Sequence, residues 1–217
     1  MSTENDLLDD VAVESTSLKE DFNYPLTFRF KIGTMANDFT ALDSSGKTIA
    51  YVRQKMFKLK EAVSVFSDES KTTVLYKINA NKWIDYNSSY IFTRGEGEEQ
   101  IGRVGRKGRK SIWNAHYEIF DIDDKQEFLI KEENPWVKVW DALLCEIPLV
   151  GLFSGYFFNP KYIVRNKEGN EIARLSKVSS FTGRSFTLEK LSDVSPEESE
   201  RLVLSLMMMN LLERRRG

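Results

Sequence analysis

Along most of this chain the apolar positions alternate with polar ones, in short runs broken by polar turns. "FTALDSSGKTIAYVRQ" turns at Asp43–Gly46, "VSVFSDESKTTVLYKI" at Asp68–Lys71 and "YIFTRGEGEEQIGRV" at Gly95–Gly97. "YEIFDIDDKQEFLIKE" turns near Asp123–Asp124, and "YIVRNKEGNEIARLSK" at Asn166–Gly169. Flanks rich in Val, Ile, Tyr and Phe around turns rich in Asp, Asn and Gly are β-hairpin signals. The turn centres fall near 45, 69, 96, 123 and 168. The steps are similar except the last, which contains the segment 134–159. With "YPLTFRFKI" in front and "RSFTLEKL" behind, the pattern predicts roughly twelve strands. Serial hairpins in this number predict a meander closed into an antiparallel barrel, because closure removes exposed strand edges. Propeller blades are a poor fit: units of about 25 residues are too short for four strands each.

Two segments depart from the period of two. In the first, Asn134 caps a helix and Pro135 occupies its first position. Trp136, Trp140, Leu143, Leu144 and Ile147 then share one helical face, and Pro148 ends the run. An apolar stretch, "PLVGLFSGYFFNP", follows. In the second, Ser195-Pro196-Glu197-Glu198 combines a capping box with proline at the first helical position. Acids at the start and Arg214, Arg215 and Arg216 at the end suit a helix dipole. A helix over 196–214 would be about 28 Å long.

Between Leu202 and Leu212 only Ser205 and Asn210 are polar. A helix apolar on all sides belongs inside a protein or a membrane. A span needs about 18 apolar residues or more, and this run is shorter. A barrel of about twelve strands, by contrast, is too wide to fill with its own side chains. Leu202, Leu204, Leu206, Met207, Met208, Met209, Leu211 and Leu212 are therefore expected to fill it. The expected fold is mainly β: a closed antiparallel barrel around a buried apolar C-terminal helix, with one inserted amphipathic helix. Residues 22–217 are expected to form this single domain, including the insertion 134–159 and the central helix 196–214.

The chain of 217 residues carries a net charge of −2, unevenly spread. Residues 1–21 hold Glu4, Asp6, Asp9, Asp10, Glu14, Glu20 and Asp21 against Lys19 alone. Such an acidic head with few large apolar groups predicts a disordered or loosely docked tail. It does not read as a secretory signal. Cys145 is the only cysteine and His116 the only histidine, so no intrachain disulfide is expected and a structural zinc site lacks ligands. A cytoplasmic location, peripheral to a membrane, is expected. No metal or other cofactor is expected.

The segments "YVRQKMFKLKEAVSVFSDES", "NPKYIVRNKEGNEIARLSK" and "LMMMNLLERRRG", in that order, resemble the tubby C-terminal superfamily over roughly residues 28–217. They are most similar to its LURP-one-related and phospholipid scramblase-like branch. The resemblance implies a barrel threaded by an apolar helix. It also implies a binding module, since tubby-like domains bind phosphoinositide headgroups, whereas scramblases are associated with calcium-dependent lipid movement. Scramblases carry an acidic calcium-binding segment shortly before the final helix. Here that region is "LEKLSDVSPEES", whose acids are accounted for by helix capping.

The sharpest local feature is "RVGRKGRKSIW", which packs Arg103, Arg106, Lys107, Arg109 and Lys110 into eight residues. Each basic residue near an anionic membrane surface is worth about 1 kcal/mol, so these five are candidates for anionic headgroups. The competing readings are a solvated hairpin connection and, least favoured, contact with nucleic-acid phosphates. The run ending at Ser111 is not a phosphate-binding loop, because Arg109 interrupts the required Gly-Lys-Ser spacing. Asp121, Asp123 and Glu132 match three calcium-loop positions, but Gln126 stands where glycine is needed. His116 reads as a structural histidine, and nothing selects a catalytic residue.

Leu149, Leu152, Phe153, Phe157 and Phe158 are apolar contact candidates, for a barrel cap, a second copy of the chain or a bilayer interface. The expected function is a non-enzymatic binding module for anionic phospholipid headgroups at a membrane surface. The alternatives are a scramblase-like lipid-handling protein and a homo-oligomeric scaffold that uses the apolar insertion.

Overall fold

A computed structural model describes residues 18, 22–31, 37–54, 62–81, 89–97, 99–106, 116–133, 161–178 and 185–214. Twelve strands follow one another: β1 (Leu26–Phe30), β2 (Asn37–Leu42), β3 (Thr48–Gln54), β4 (Ala62–Phe66), β5 (Val74–Asn81), β6 (Ser89–Arg94), β7 (Glu99–Arg106), β8 (His116–Phe120), β9 (Gln126–Glu132), β10 (Lys161–Asn166), β11 (Glu171–Val178) and β12 (Ser185–Lys190). A helix, α1 (Pro196–Arg214), follows them. Each strand pairs antiparallel with its neighbour in sequence, and Leu26↔Leu188 closes β1 onto β12. This is the expected barrel, and the five turns lie where the Asp, Asn and Gly residues place them.

Strands β4 and β8 alternate between buried and half-buried residues, as expected of a wall with one face inward. At β2 and β3 both faces are covered. There the β4–β5 turn folds back over the outer wall.

All five hairpins share a device that the alternation did not predict. Beside each turn, the second strand carries one extra residue: Ile49, Leu75, Ile101, Glu127 and Ile172. These are β-bulges, two residues facing one. The first four recur at an interval of 26 positions. Ile49, Leu75, Ile101 and Ile172 are buried in the core. Four of the five bulges thus turn an apolar side chain inward and seal the end of the barrel where the turns lie.

The chain enters the barrel at that same end. Leu191 and Ser192 donate their N–H groups to Ile172 O at 2.8 and 3.2 Å, which folds the strand exit inward. The capping box forms as expected: Glu198 N donates to Ser195 Oγ at 3.2 Å, and Ser195 N donates to Glu198 Oε2 at 2.8 Å. From Glu200 to Leu211 every residue of α1 is buried, and Leu202, Leu204, Leu206, Met207, Met208, Met209 and Leu211 join the same core as the inward wall residues. Leu212 is partly buried against that core. Three unbranched methionines in a row fill the irregular space between helix and wall.

No helix among the described residues is long and apolar enough to cross a membrane. The inserted helix expected from Trp136 to Ile147 lies outside the described residues. So does the acidic head, except Leu18, which is fully buried and donates its N–H to Tyr76 Oη at 3.0 Å.

The interior position of α1 sets a direct test. Met208→Lys places an uncompensated charge inside the barrel and should cost about 3–5 kcal/mol or more, seen as loss of folded protein in urea titration. An unchanged melting temperature would contradict the architecture.

Candidate functional site

Two charged residues stand at the inner end of α1 before the apolar run, and each meets an opposite charge on the wall. Glu200 is fully buried. It accepts from Tyr76 Oη at 2.6 Å and from Arg94 Nε and Nη2 at 3.1 and 2.8 Å. Arg94 also donates to both oxygens of Glu99. Glu200 foremost, then Glu99, holds the Arg94 guanidinium charged well above its usual range, against the cost of burial.

Arg201 donates to Glu127 through Nε at 2.7 Å and Nη2 at 2.5 Å, and to Ile101 O at 3.4 Å. Its path requires Gly102, whose φ is +154°. A Cβ there would stand 2.6 Å from Arg201 Cδ and 2.5 Å from Phe120 O. Glu127 is the one bulge residue of the five that is not apolar. The barrel therefore breaks its own repeat at the single point where Arg201 arrives.

On the outer wall, Tyr51 is 2% exposed yet lies outside the core. Its hydroxyl donates to Asp38 Oδ2 at 2.7 Å. Lys31 and Lys71 approach its ring at 5.1 and 5.4 Å. Glu69 binds Lys31 Nζ at 2.6 Å and accepts from Thr40 Oγ1 at 3.1 Å. Burial first, and Asp38 second, push the Tyr51 hydroxyl well above its ordinary pKa. The arrangement fastens the β4–β5 turn to the wall.

The structure separates the two described members of the basic run. Arg103 and Arg106 are three residues apart on β7, so they face opposite sides of the sheet. Arg103 lies on the outer wall, stacked 3.7 Å from the Phe120 ring centre, with its Nε donating to Asp124 Oδ1 at 2.7 Å. Arg106 faces inward, 6.0 Å from the Tyr117 ring centre. Its Nε is buried and has no hydrogen-bond partner among the described residues. Lys107, Arg109 and Lys110 lie outside the described residues, as do Leu149, Leu152, Phe153, Phe157 and Phe158.

The calcium-like run forms a hairpin turn: Asp121 Oδ1 accepts from Lys125 N at 2.8 Å, and Lys125 pairs with Asp123. No group of three or more His, Cys, Asp or Glu that could hold a metal ion occurs among the described residues. His116 opens β8 in register with Lys131.

The topology sorts the connections to two rims. The β2–β3, β4–β5, β6–β7, β8–β9 and β10–β11 turns and the entry to α1 lie at one rim, here the turn rim. Their residues (43–47, 67–73, 95–98, 121–125, 167–170, 191–195) comprise ten acids and four lysines, and no aromatic residue. The six other connections (31–36, 55–61, 82–88, 107–115, 133–160, 179–184) join strand ends at the opposite rim, here the loop rim, toward which α1 runs. Their residues comprise ten basic residues, of which Lys31 is paired with Glu69, and five acids. Trp83, Trp113, Trp136 and Trp140, all the tryptophans of the chain, belong to them. Sequence reading located the basic run and the apolar insertion, but it did not reveal that both attach to one rim. It also passed over Tyr76, Arg94, Glu127, Glu200 and Arg201. The signal for Glu127 was present, as an acid in an otherwise apolar column of a 26-residue repeat.

No protein-family model matches the chain, and no curated protein matches it. The X-ray structure of a protein from Arabidopsis thaliana is similar, with a TM-score of 0.51 and 14% identity over 90% of this chain and 98% of that one. At that identity the likeness is one of fold.

The Glu127 position yields a two-step test. Glu127→Gln should destabilise by about 3–5 kcal/mol, because Arg201 stays buried without its counter-ion. Adding Arg201→Met to Glu127→Ile restores the apolar column and should return to within about 1 kcal/mol of the original stability. Chemical denaturation of the three proteins measures both steps, and a double variant as unstable as the single would contradict the assignment.

Proposed function

We propose that this protein is a non-enzymatic binding module of the tubby-like superfamily, close to its LURP-one-related and scramblase-like branch, that recognises anionic phospholipid headgroups at a membrane surface. The observation that carries this reading is the excess of basic residues in the connections of one rim. Lys107, Arg109 and Lys110 supply the densest part of that charge. The apolar insertion with Leu149, Leu152, Phe153, Phe157 and Phe158 joins β9 to β10 at the same rim. The closed barrel around an apolar helix, and the fold shared with the Arabidopsis protein, support the superfamily assignment.

Binding is favoured over scramblase-like lipid transport because the apolar surface of α1 is spent on the barrel core and is not available to lipid. The attraction would be mainly electrostatic, so it weakens as salt screens the charges.

Vesicle flotation tests the reading. The protein should float with vesicles of phosphatidylcholine and phosphatidylserine at low salt, and not with phosphatidylcholine alone. Neutralising Lys107, Arg109 and Lys110 together should weaken binding by roughly a hundredfold. Arg103→Gln should leave it unchanged, because Asp124 already meets that charge. Equal recovery on both vesicle types would refute headgroup recognition.

A further inference from the structure

We propose that the turn rim holds a peptide-binding slot whose ligand is a leucine flanked by basic residues. Leu18 of this chain's own head occupies that slot in cis, as a tethered competitor. The slot lies at the opposite end of the barrel from the headgroup reading above and is independent of it.

The present occupant defines the slot. Leu18 is fully buried and belongs to the same core as the inward wall residues, although it precedes every strand. Its backbone N–H donates to Tyr76 Oη at 3.0 Å. The Tyr76 hydroxyl donates its own proton to Glu200 Oε1 at 2.6 Å, so it can only accept from a further partner. The slot therefore selects an aliphatic side chain with an N–H beside it. Any leucine in a peptide offers both, and nothing in the contact requires that it belong to this chain.

The head is also anchored a second time. Phe22 is partly buried against the core. Asn23 O accepts from Ser44 N at 2.8 Å, and Tyr24 Oη lies 3.4 Å from Ser199 Oγ. These contacts hold the chain beside the rim whether or not Leu18 is seated. Such a tether keeps an occupant at an effective concentration in the millimolar range.

Charge opposes the resident occupant. Under Leu18, Arg94 is shared by Glu99 and Glu200, one cation between two carboxylates. The surrounding turn-rim connections hold ten acids and four lysines. Wall cations meet Glu69, Glu96, Asp124 and Asp193. Asp43, Asp68 and Asp121 have no basic partner among the described residues. Hydrogen bonds, foremost from Ser45 and Ser70, hold Asp43 and Asp68 ionised below the usual carboxylate range. Glu14, Glu20 and Asp21 stand within four residues of Leu18 in sequence, against Lys19 alone. Seating Leu18 thus brings acids to an acidic rim. A leucine flanked by lysine or arginine replaces that repulsion with attraction.

The probe is a fluorescein-labelled peptide with a single leucine between lysine pairs. It should bind the Leu18→Gly protein about tenfold or more tighter than the unaltered full chain, because the resident leucine no longer competes. Alanine in place of the peptide's leucine should weaken binding roughly tenfold to a hundredfold. Glutamates in place of its lysines should weaken it at low salt. In the unaltered protein, saturating peptide should speed hydrogen exchange of the Leu18 amide by about tenfold or more. That readout keeps the test decisive should Leu18→Gly fail to fold. Equal affinity for the two proteins, or for the leucine and alanine peptides, would overturn the slot. So would Leu18 exchange that saturating peptide leaves unchanged. An acidic-flanked peptide that binds as tightly as the basic one would overturn the choice of ligand.

Discussion

A helix that is apolar on every side has no preferred rotation inside an apolar barrel. Turning it by one residue exchanges one Leu or Met for another against the wall. What removes this freedom is the pair of opposite charges at its inner end. Glu200 must find Arg94 and Tyr76 while Arg201 finds Glu127. A buried charge left without its partner costs several kcal/mol, more than any difference in packing between rotations of a Leu/Met cylinder. The adjoining acid and base therefore set both depth and rotation, and the twelve strands close around a plug whose position is already specified. Gly102 completes the constraint by leaving room for the Arg201 stem.

The same ionic arrangement fixes one end of the molecule. At the turn rim, short connections, five bulges and the charge pairs tie strands to helix. At the loop rim, connections of up to 28 residues join the strands. Function resides preferentially on connections held by a rigid scaffold, and here the scaffold is rigidified from the far side. The Tyr51 cluster extends this logic to the wall, where two lysines and Glu69 hold a turn against β2 and β3.

Much of this fold was legible in the sequence because its signals are local. The Asp, Asn and Gly turns fix where hairpins reverse, and Ser195 to Glu198 announce the start of the helix. The apolar run from Leu202 fits a barrel core better than a bilayer on length alone. What escaped depends on pairing between distant segments. A bulge is invisible until both strands are in register, so Ile49 and its equivalents read as ordinary alternation. Arg103 and Arg106 read as one cluster because they are close in sequence, although a strand sends them to opposite faces. Asp124, twenty-one positions away, takes up the charge of Arg103. Glu127 drew no reading at all, because its partner is 74 positions distant.

The closing of β1 onto β12 through Leu26 and Leu188, with α1 following both, has a consequence for how the protein is made. Every strand is synthesised before the segment that fills their common interior. Until residues 196–214 leave the ribosome, the inward faces of the barrel have no partner and two open edges remain available for pairing. The contacts that complete the structure join its most distant parts, which is the slow kind of folding step. The nascent chain is thus exposed to aggregation through most of its synthesis.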